Sequence, residues 1–95
     1  RDRIPSPATM IIKFHRDFRK RYAKMRPSEQ RKADERIRLF RQNSSHPLLN
    51  NHALHHPFEG CRSINVTGDL RAIYREIPPD TIYFIDAGTH SELYE

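Results

Sequence analysis

The last third of the chain constrains the fold most, because three strand-like segments follow one another there with only short turns between them. Apolar and polar residues alternate over 61–66, 70–77 and 81–87, which is the pattern of β-strands. Thr67-Gly68-Asp69 and Pro78-Pro79-Asp80 are turn-forming sequences between them. Since short connections join antiparallel neighbours, this stretch predicts a three-stranded antiparallel meander, with the most apolar segment, 81–87, as a central strand.

The first half predicts one strand and a helical hairpin. Residues 10–14 are a short β-rich run, which predicts a first strand. A helix follows, because one apolar face repeats at spacings of four, four and three: Phe14, Phe18, Tyr22 and Met25. Pro27 ends this helix, and Ser28 is the predicted N-cap of a second helix that runs to about Gln42. Residues 46–60 are predicted as a loop with one short extended piece near 53–54.

These elements predict an α+β fold, in which an N-terminal strand, a two-helix hairpin and the meander form one small sheet. One sheet face packs on the hairpin, and the other can carry a site. We expect an extended tail over residues 1–9 and a single domain over 10–95. The one cysteine, Cys61, excludes an internal disulfide and a cysteine-rich zinc site. No apolar run is long enough to span a membrane and no leader opens the chain, so we expect a cytoplasmic protein without a membrane partner.

The charge is divided unevenly between the two halves of the chain. Residues 1–42 hold 14 Lys and Arg against 5 Asp and Glu, whereas residues 43–95 hold 3 against 7. A net charge of +9 on the first half indicates an anionic partner, either nucleic acid or an acidic protein. The alternative is that Lys and Arg, which are good helix formers, only solvate the outer faces of the helices.

Two groups of side chains in the second half are suited to phosphate and proton chemistry. His90 follows the predicted central strand, and Tyr94 lies four residues further on. With this spacing both side chains can point to the same side of the segment. Arginine on an acidic half usually has a defined partner, and phosphate or carboxylate are the options for Arg62 and Arg71. Simpler explanations exist for all of these residues. His90 can be an ordinary surface histidine and Tyr94 an aromatic side chain that covers the core, and the arginines can pair with carboxylates across strands.

Two further features are ambiguous from the residues alone. Asp69 either serves chemistry or only shapes its turn, where aspartate is favoured. Four histidines within eleven residues, at 46, 52, 55 and 56, raise the question of a metal site. No pair has helical ligand spacing and no cysteine or glutamate set completes a tetrahedron, so we predict no metal and no cofactor. A single loop histidine approaching the site, most simply His52, is the better interpretation.

Taken together and in order, several segments resemble the bacterial RelE/ParE toxin superfamily, and most closely its YafQ-like branch. The resemblance covers about 10–94 and is carried by Asn51-His52-Ala53-Leu54, Phe58-Glu59-Gly60-Cys61-Arg62, Val66-Thr67-Gly68-Asp69-Leu70-Arg71-Ala72-Ile73-Tyr74 and Gly88-Thr89-His90-Ser91-Glu92-Leu93-Tyr94. It implies a RelE-like, microbial RNase-like fold. It also implies the toxin of a type II toxin–antitoxin pair, a small basic endoribonuclease that cuts mRNA on the ribosome and is bound by a cognate antitoxin through an acidic segment.

The resemblance also implies roles for single residues. His52, Asp69 and His90 match the catalytic positions, Tyr94 an aromatic position, and Arg71 an arginine found in RelE-like members, while Arg62 is expected to bind phosphate or RNA. Such a site needs no metal: a base takes the ribose 2′-OH proton, the oxygen attacks phosphorus, and an acid protonates the departing 5′ oxygen. Arginine stabilises the charge of the transition state, and an aromatic ring can stack on a base.

The chain departs from this pattern at one position, where Asn65 replaces a second central histidine. Asparagine cannot exchange protons, so proton transfer must rest on His52, Asp69 and His90. Two alternatives therefore stay open. One is a ParE-like inhibitor of DNA gyrase without nuclease activity, which shares the fold. The other, favoured by Asn65, is a catalytically impaired module that only binds RNA or the ribosome.

Overall fold

The computed structural model describes residues 9–94 as three α-helices and five β-strands. The elements in chain order are β1 (Ile11–Phe14), α1 (Arg16–Lys24), α2 (Pro27–Gln42), a 3-10 turn (Pro47–Leu49), β2 (His52–Ala53), β3 (Arg62–Asn65), β4 (Arg71–Ile77), β5 (Thr81–Gly88) and α3 (His90–Tyr94). The predicted α+β class is confirmed. The tail predicted over 1–9 falls, except for Thr9, outside the described residues.

The five strands form one sheet in the order β1-β5-β4-β3-β2. The predicted meander is confirmed, since β3, β4 and β5 are antiparallel neighbours. The sequence did not indicate that β1 pairs with β5 in parallel, with Ile11 beside Thr81 and Phe14 beside Phe84. β5 is thus an interior strand, as its apolar sequence indicates, while β1 and the two-residue β2 form the edges.

The helical hairpin is confirmed with one correction at its second helix. Met25 ends α1 in an extended conformation, and Arg26 is also extended, as expected for the residue directly before a proline. Ser28 is not the N-cap of α2: Arg26 occupies that position and Pro27 the first helical position. Proline is favoured there because its missing N–H would have no helical partner. The Glu29 carboxylate instead accepts the Arg26 backbone N–H at 3.0 Å.

The main core lies between the hairpin and one face of the sheet. Phe84 stands at its centre, with aromatic rings of both helices and of β4 around it. The fully buried members include Phe40, Leu49, Ile64, Val66, Tyr74, Ile82 and Phe84. A second, smaller cluster covers part of the opposite face, where Leu93 of α3 packs on Cys61 and Ile73. Across 9–94, none of the helices is both long and apolar enough to cross a bilayer.

Candidate active site

The sheet face that points away from the hairpin carries most of the predicted site. Residues paired across neighbouring strands share a face, and so do alternate residues along one strand. Asn65 pairs with Arg71, and Arg71 pairs with Gly88, so these three positions form one row across the sheet. His52 pairs with Ser63, two residues from Asn65 on β3, and therefore belongs to the same face.

Arg71 is held over the turn that connects β3 to β4. The turn closes where the Leu70 N–H donates to the Thr67 hydroxyl at 3.1 Å. The Nη1 group of Arg71 donates to the carbonyls of Thr67 at 3.1 Å and Gly68 at 3.0 Å. The edge formed by Nε and Nη2 makes no hydrogen bond with any described residue. That edge matches two oxygens of a phosphate, so the guanidinium is oriented by its turn and still able to bind an anion.

Asp69 lies in the same turn and is exposed. Its carboxylate accepts no hydrogen bond from the part of the chain that the structure describes, so it does not cap the turn in the way aspartate often does. The Thr67 hydroxyl performs that role instead. Asp69 is therefore an accessible carboxylate two residues from Arg71.

His90 and Tyr94 come together on α3, as their spacing of four residues predicts. Their ring centroids are 4.7 Å apart, and both side chains are exposed. Phe58, from the loop before β3, meets Tyr94 edge-on at 5.5 Å and an angle of 89°. The sequence assigned no role to Phe58, because a contact between a loop and a distant helix leaves no periodic signal. The three rings form an aromatic surface beside the Arg71 row.

His52 lies at the other end of the same face, on the edge strand β2. Its Nδ1 is 2.8 Å from the Asn50 carbonyl. Because a carbonyl only accepts, Nδ1 is the donor, and Nε2 of the neutral ring is left with a free lone pair. Arg71 lies on the second strand from β2 and is displaced from His52 by two residues along the strand direction. Their backbones are therefore about 12 Å apart. The structure therefore does not bring His52 into contact with His90, and a phosphodiester would have to lie between them.

Arg62 lies on the opposite sheet face from the other predicted site residues. It pairs with the buried Tyr74 and so shares the face that packs on the hairpin. Its Nε donates to Asn51 Oδ1 at 2.8 Å, and Asn51 Nδ2 donates to the Tyr74 hydroxyl at 2.9 Å. Burial raises the pKa of Tyr74 above its ordinary value. In this arrangement Arg62 fixes Asn51, the residue before His52, and is not on the face where RNA would meet His90.

Asn65 sits in the middle of the open face, directly across from Arg71. Its Oδ1 atom is buried and has no hydrogen-bond partner among the described residues. A buried carbonyl oxygen without a donor is costly, and a ligand hydroxyl or amino group would satisfy it. Asparagine at this position can therefore accept a hydrogen bond from a substrate, although it cannot move a proton.

Two other kinds of site have candidate residues in the sequence: a cysteine nucleophile at Cys61 and a metal site in the histidine-rich loop. Cys61 is buried, and its burial raises the pKa of the thiol, so the thiolate needed for nucleophilic attack is disfavoured. Within 9–94, no three side chains of the metal-binding types come together as a ligand set. The arrangement instead provides an oriented guanidinium with histidines on either side, which suits transfer at a phosphodiester.

Comparisons with known proteins agree on one family. A family model described as a bacterial toxin of type II toxin–antitoxin system, YafQ, matches residues 9–95. Among curated protein sequences, none is similar enough to match the chain. The chain is similar to the crystal structure of YafQ from E. coli strain BL21(DE3), with a TM-score of 0.74 and 22% identity over 90% of this chain and 99% of that one.

Two further solved structures share the fold. One is the E. coli DinJ–YafQ toxin–antitoxin complex, with a TM-score of 0.63 and 18% identity over 92% of this chain and 99% of that one. The other is a YoeB/ParE toxin from Agrobacterium tumefaciens, with a TM-score of 0.71 and 18% identity over 85% and 99%. At these identities the likeness shows a common fold.

Proposed function

The chain belongs to the YafQ family of bacterial toxins of type II toxin–antitoxin systems, and on that premise we propose that it is an endoribonuclease that cleaves mRNA on the ribosome. The observation that carries the proposal is the free Nε–Nη2 edge of Arg71, oriented by its turn on a face that also holds His52 and against which α3, the helix of His90, packs through Leu93. A surface that only binds DNA gyrase would not need this combination of one arginine and two histidines.

In the proposed reaction His52 is the base and His90 the acid. Nε2 of His52 takes the proton of the ribose 2′-OH, and the oxygen attacks the adjacent phosphorus. The bond from phosphorus to the 5′ oxygen breaks, and His90 supplies the proton for that leaving oxygen. The products are a 2′,3′-cyclic phosphate and a 5′-hydroxyl. Asp69 is a second acceptor for the 2′-OH proton, and every group in this reaction comes from a side chain.

Arg71 and Tyr94 would bind the substrate in the geometry that the reaction needs. The free guanidinium edge of Arg71 is placed to donate two hydrogen bonds to the phosphate, and these strengthen as negative charge builds on its oxygens. Tyr94, held edge-on by Phe58, offers its exposed face for stacking on a base next to the scissile bond. Asn65 Oδ1 would accept from a ribose hydroxyl or a base amino group.

We expect a cognate antitoxin to inhibit the toxin through an acidic segment. Helix α1 exposes four cations on its outer surface: Arg16, Arg19, Lys20 and Lys24. A positive surface of this kind attracts both RNA phosphates and acidic side chains, so the two partners would compete for it. The occurrence of this fold in a toxin–antitoxin complex supports the same expectation.

Adding the purified chain to a bacterial translation extract tests the activity. We expect newly formed mRNA ends within the coding sequence, appearing only while ribosomes translate it. The product of a small acidic reading frame beside the gene should suppress the cleavage. Intact mRNA together with inhibited DNA supercoiling would instead identify a gyrase inhibitor, and intact mRNA with blocked translation a module that binds without cutting.

Arg71→Ala should lower the rate of the cleavage step by roughly a hundred- to a thousandfold, since a charge-stabilising donor contributes about 2.7–4 kcal/mol to the transition state. The substitution removes only side-chain hydrogen bonds to carbonyls of the turn, so Tm should change little. Single-turnover cleavage of a short RNA on ribosomes measures the step directly.

Asp69→Asn is the matched variant in the same turn. Asparagine is equally suited to a turn, so the fold should be unaffected. A fall in rate at unchanged Tm would place the Asp69 carboxylate in the chemistry. Normal rates in both variants would remove this turn from the site.

A further inference from the structure

One basic residue of α1, Arg21, reaches across the end of β5 to the helix that carries His90. Its Nη2 group donates to the backbone carbonyl of Glu92 at 3.2 Å. Nη1 lies 3.6 Å from the Glu92 carboxylate, and Nε lies 3.4 Å from the carboxylate of Asp86 on β5. A single guanidinium thus connects α1 with two elements that lie more than sixty residues away along the chain.

The same Glu92 carboxylate also closes the N-terminus of α3. Its Oε1 atom accepts the Thr89 N–H at 2.8 Å, while the Thr89 hydroxyl accepts the Glu92 N–H at 3.2 Å. This reciprocal pair is a capping box, and it satisfies backbone donors that the first turn of a helix leaves free. Arg21 therefore contacts one of the two side chains that form the cap of α3.

The Arg21–Glu92 contact lies close to the backbone of Gly88, at the junction of β5 and α3. A Cβ atom at Gly88 would lie 3.0 Å from Glu92 Oε1 and 3.1 Å from Arg21 Nη1. A side chain at this position would require Glu92 and Arg21 to shift by a few tenths of an ångström. Gly88 is also the sheet partner of Arg71, so the Arg21–Glu92 contact lies beside the row that would hold the phosphate.

Helix α3 depends on such contacts for its position. It has only five residues, and an isolated helix of that length is not stable in water. Apart from its cap, its anchors in the described structure are Leu93, packed in the small outer cluster, Tyr94, whose ring meets Phe58, and Arg21. We propose that Arg21 is a positioning residue that fixes α3, and with it the His90 imidazole, for RNA cleavage; this inference rests on the proposed nuclease function.

Two other roles for Arg21 are less consistent with its surroundings. As a phosphate ligand it would have to leave two carboxylates, and only 33% of its side chain is exposed. As a stabilising ion pair it would contribute little, because partly exposed pairs are screened by water and salt. A positioning role predicts a loss of turnover without loss of RNA affinity or of global stability.

A double-mutant cycle tests the inference with Arg21→Ala, Glu92→Gln and the double variant. Glu92→Gln removes the charge but keeps an oxygen for the Thr89 cap. We expect Arg21→Ala to lower kcat roughly three- to tenfold, which lies in the lower part of the range for coupled side chains, with KM unchanged. Glu92→Gln should lower kcat by a smaller factor, and the double variant should be no slower than Arg21→Ala. Arg21→Lys should recover part of the lost kcat.

Hydrogen exchange at the Leu93 amide gives a readout that does not need activity. This N–H donates to the Thr89 carbonyl at 3.0 Å and is released when α3 opens locally. We expect its exchange to quicken in Arg21→Ala by a factor similar to the loss of kcat, with Tm unchanged. Arg31→Ala, which removes an equal charge from the exposed surface of α2 without touching α3, should leave kcat and the Leu93 exchange rate as in the parent.

A raised KM with unchanged kcat in Arg21→Ala would make Arg21 an RNA ligand and overturn the inference, and so would parental exchange at Leu93. If the parent chain itself cleaves no RNA, the proposed nuclease function fails. Faster exchange at Leu93 in Arg21→Ala would then still support the positioning of α3 by Arg21.

Discussion

His90→Ala should abolish growth arrest when the toxin is expressed alone, while leaving a folded protein that still binds its antitoxin. Removing a general acid or base typically costs on the order of a hundred- to ten-thousandfold in rate. His90 is exposed on the first turn of α3, and its loss removes one ring contact with Tyr94, so stability should hardly change. Growth after induction, cleavage rate on ribosomes and Tm together measure the effect.

His55→Ala is the matched control, because His55 is another exposed histidine and its side chain makes no hydrogen bond, ion pair or ring contact with the described residues. It should remain as toxic as the parent. His52→Ala should lose activity to a smaller degree than His90→Ala, since a two-residue edge strand positions its side chain less firmly. A folded His90→Ala protein that arrests growth normally would refute the nuclease in this form and make gyrase binding the leading explanation.

Phe84→Ala should lower the free energy of unfolding by about 3–5 kcal/mol, which is the usual cost of truncating a fully buried phenylalanine. Phe84 is 0% exposed. Its ring lies 5.6–5.8 Å from the rings of Phe14, Phe18, Phe40 and Tyr74. The truncation therefore opens a cavity that borders β1, both hairpin helices and β4, and no single neighbour can fill it.

Denaturant unfolding followed by circular dichroism measures this loss. Ile77→Ala on β4 is the control, because that side chain is 43% exposed and such substitutions usually change stability by about half a kcal/mol or less. A loss below about 1 kcal/mol for Phe84→Ala would mean that the core does not close around this ring. Because the free energy of unfolding of a domain of this size is small, this loss should unfold much of the protein, and Phe84→Ala should therefore also abolish toxicity.

The elements with strong periodicity could be predicted from the sequence, and those set by long-range contact could not. The spacing of Phe18, Tyr22 and Met25 predicted α1, and the turn at Gly68 predicted the β3–β4 hairpin. The parallel pairing of β1 with β5 depends on packing between distant segments and has no local signal. Helix α3 was also not predicted, because a five-residue helix that relies on its cap and on Leu93 has no repeating pattern.

For the site, the spacing of His90 and Tyr94 correctly predicted that the two rings lie together. No sheet face was predicted for Arg62, although the signal was present, and its binding of phosphate or RNA stays a prediction. Side chains alternate along a strand, and Arg62 is two residues from Ile64, which is buried in the main core. The roles of His52, Asp69 and His90 in catalysis stay predictions until the variants are measured.

The parallel pairing of β1 with β5 has a consequence for when the protein becomes active. Ile11 finds its strand partner, Thr81, seventy positions later in the chain, and Phe84, the centre of the core, lies on that same late strand. A growing polypeptide therefore cannot close its core until nearly the whole domain has been synthesised. The helix with His90 follows directly after β5, so the scaffold and the proposed acid are completed almost together. A ribosome making this toxin thus carries no working copy until β5 and α3 have been synthesised, and an antitoxin already present in the cell can reach the chain during that time.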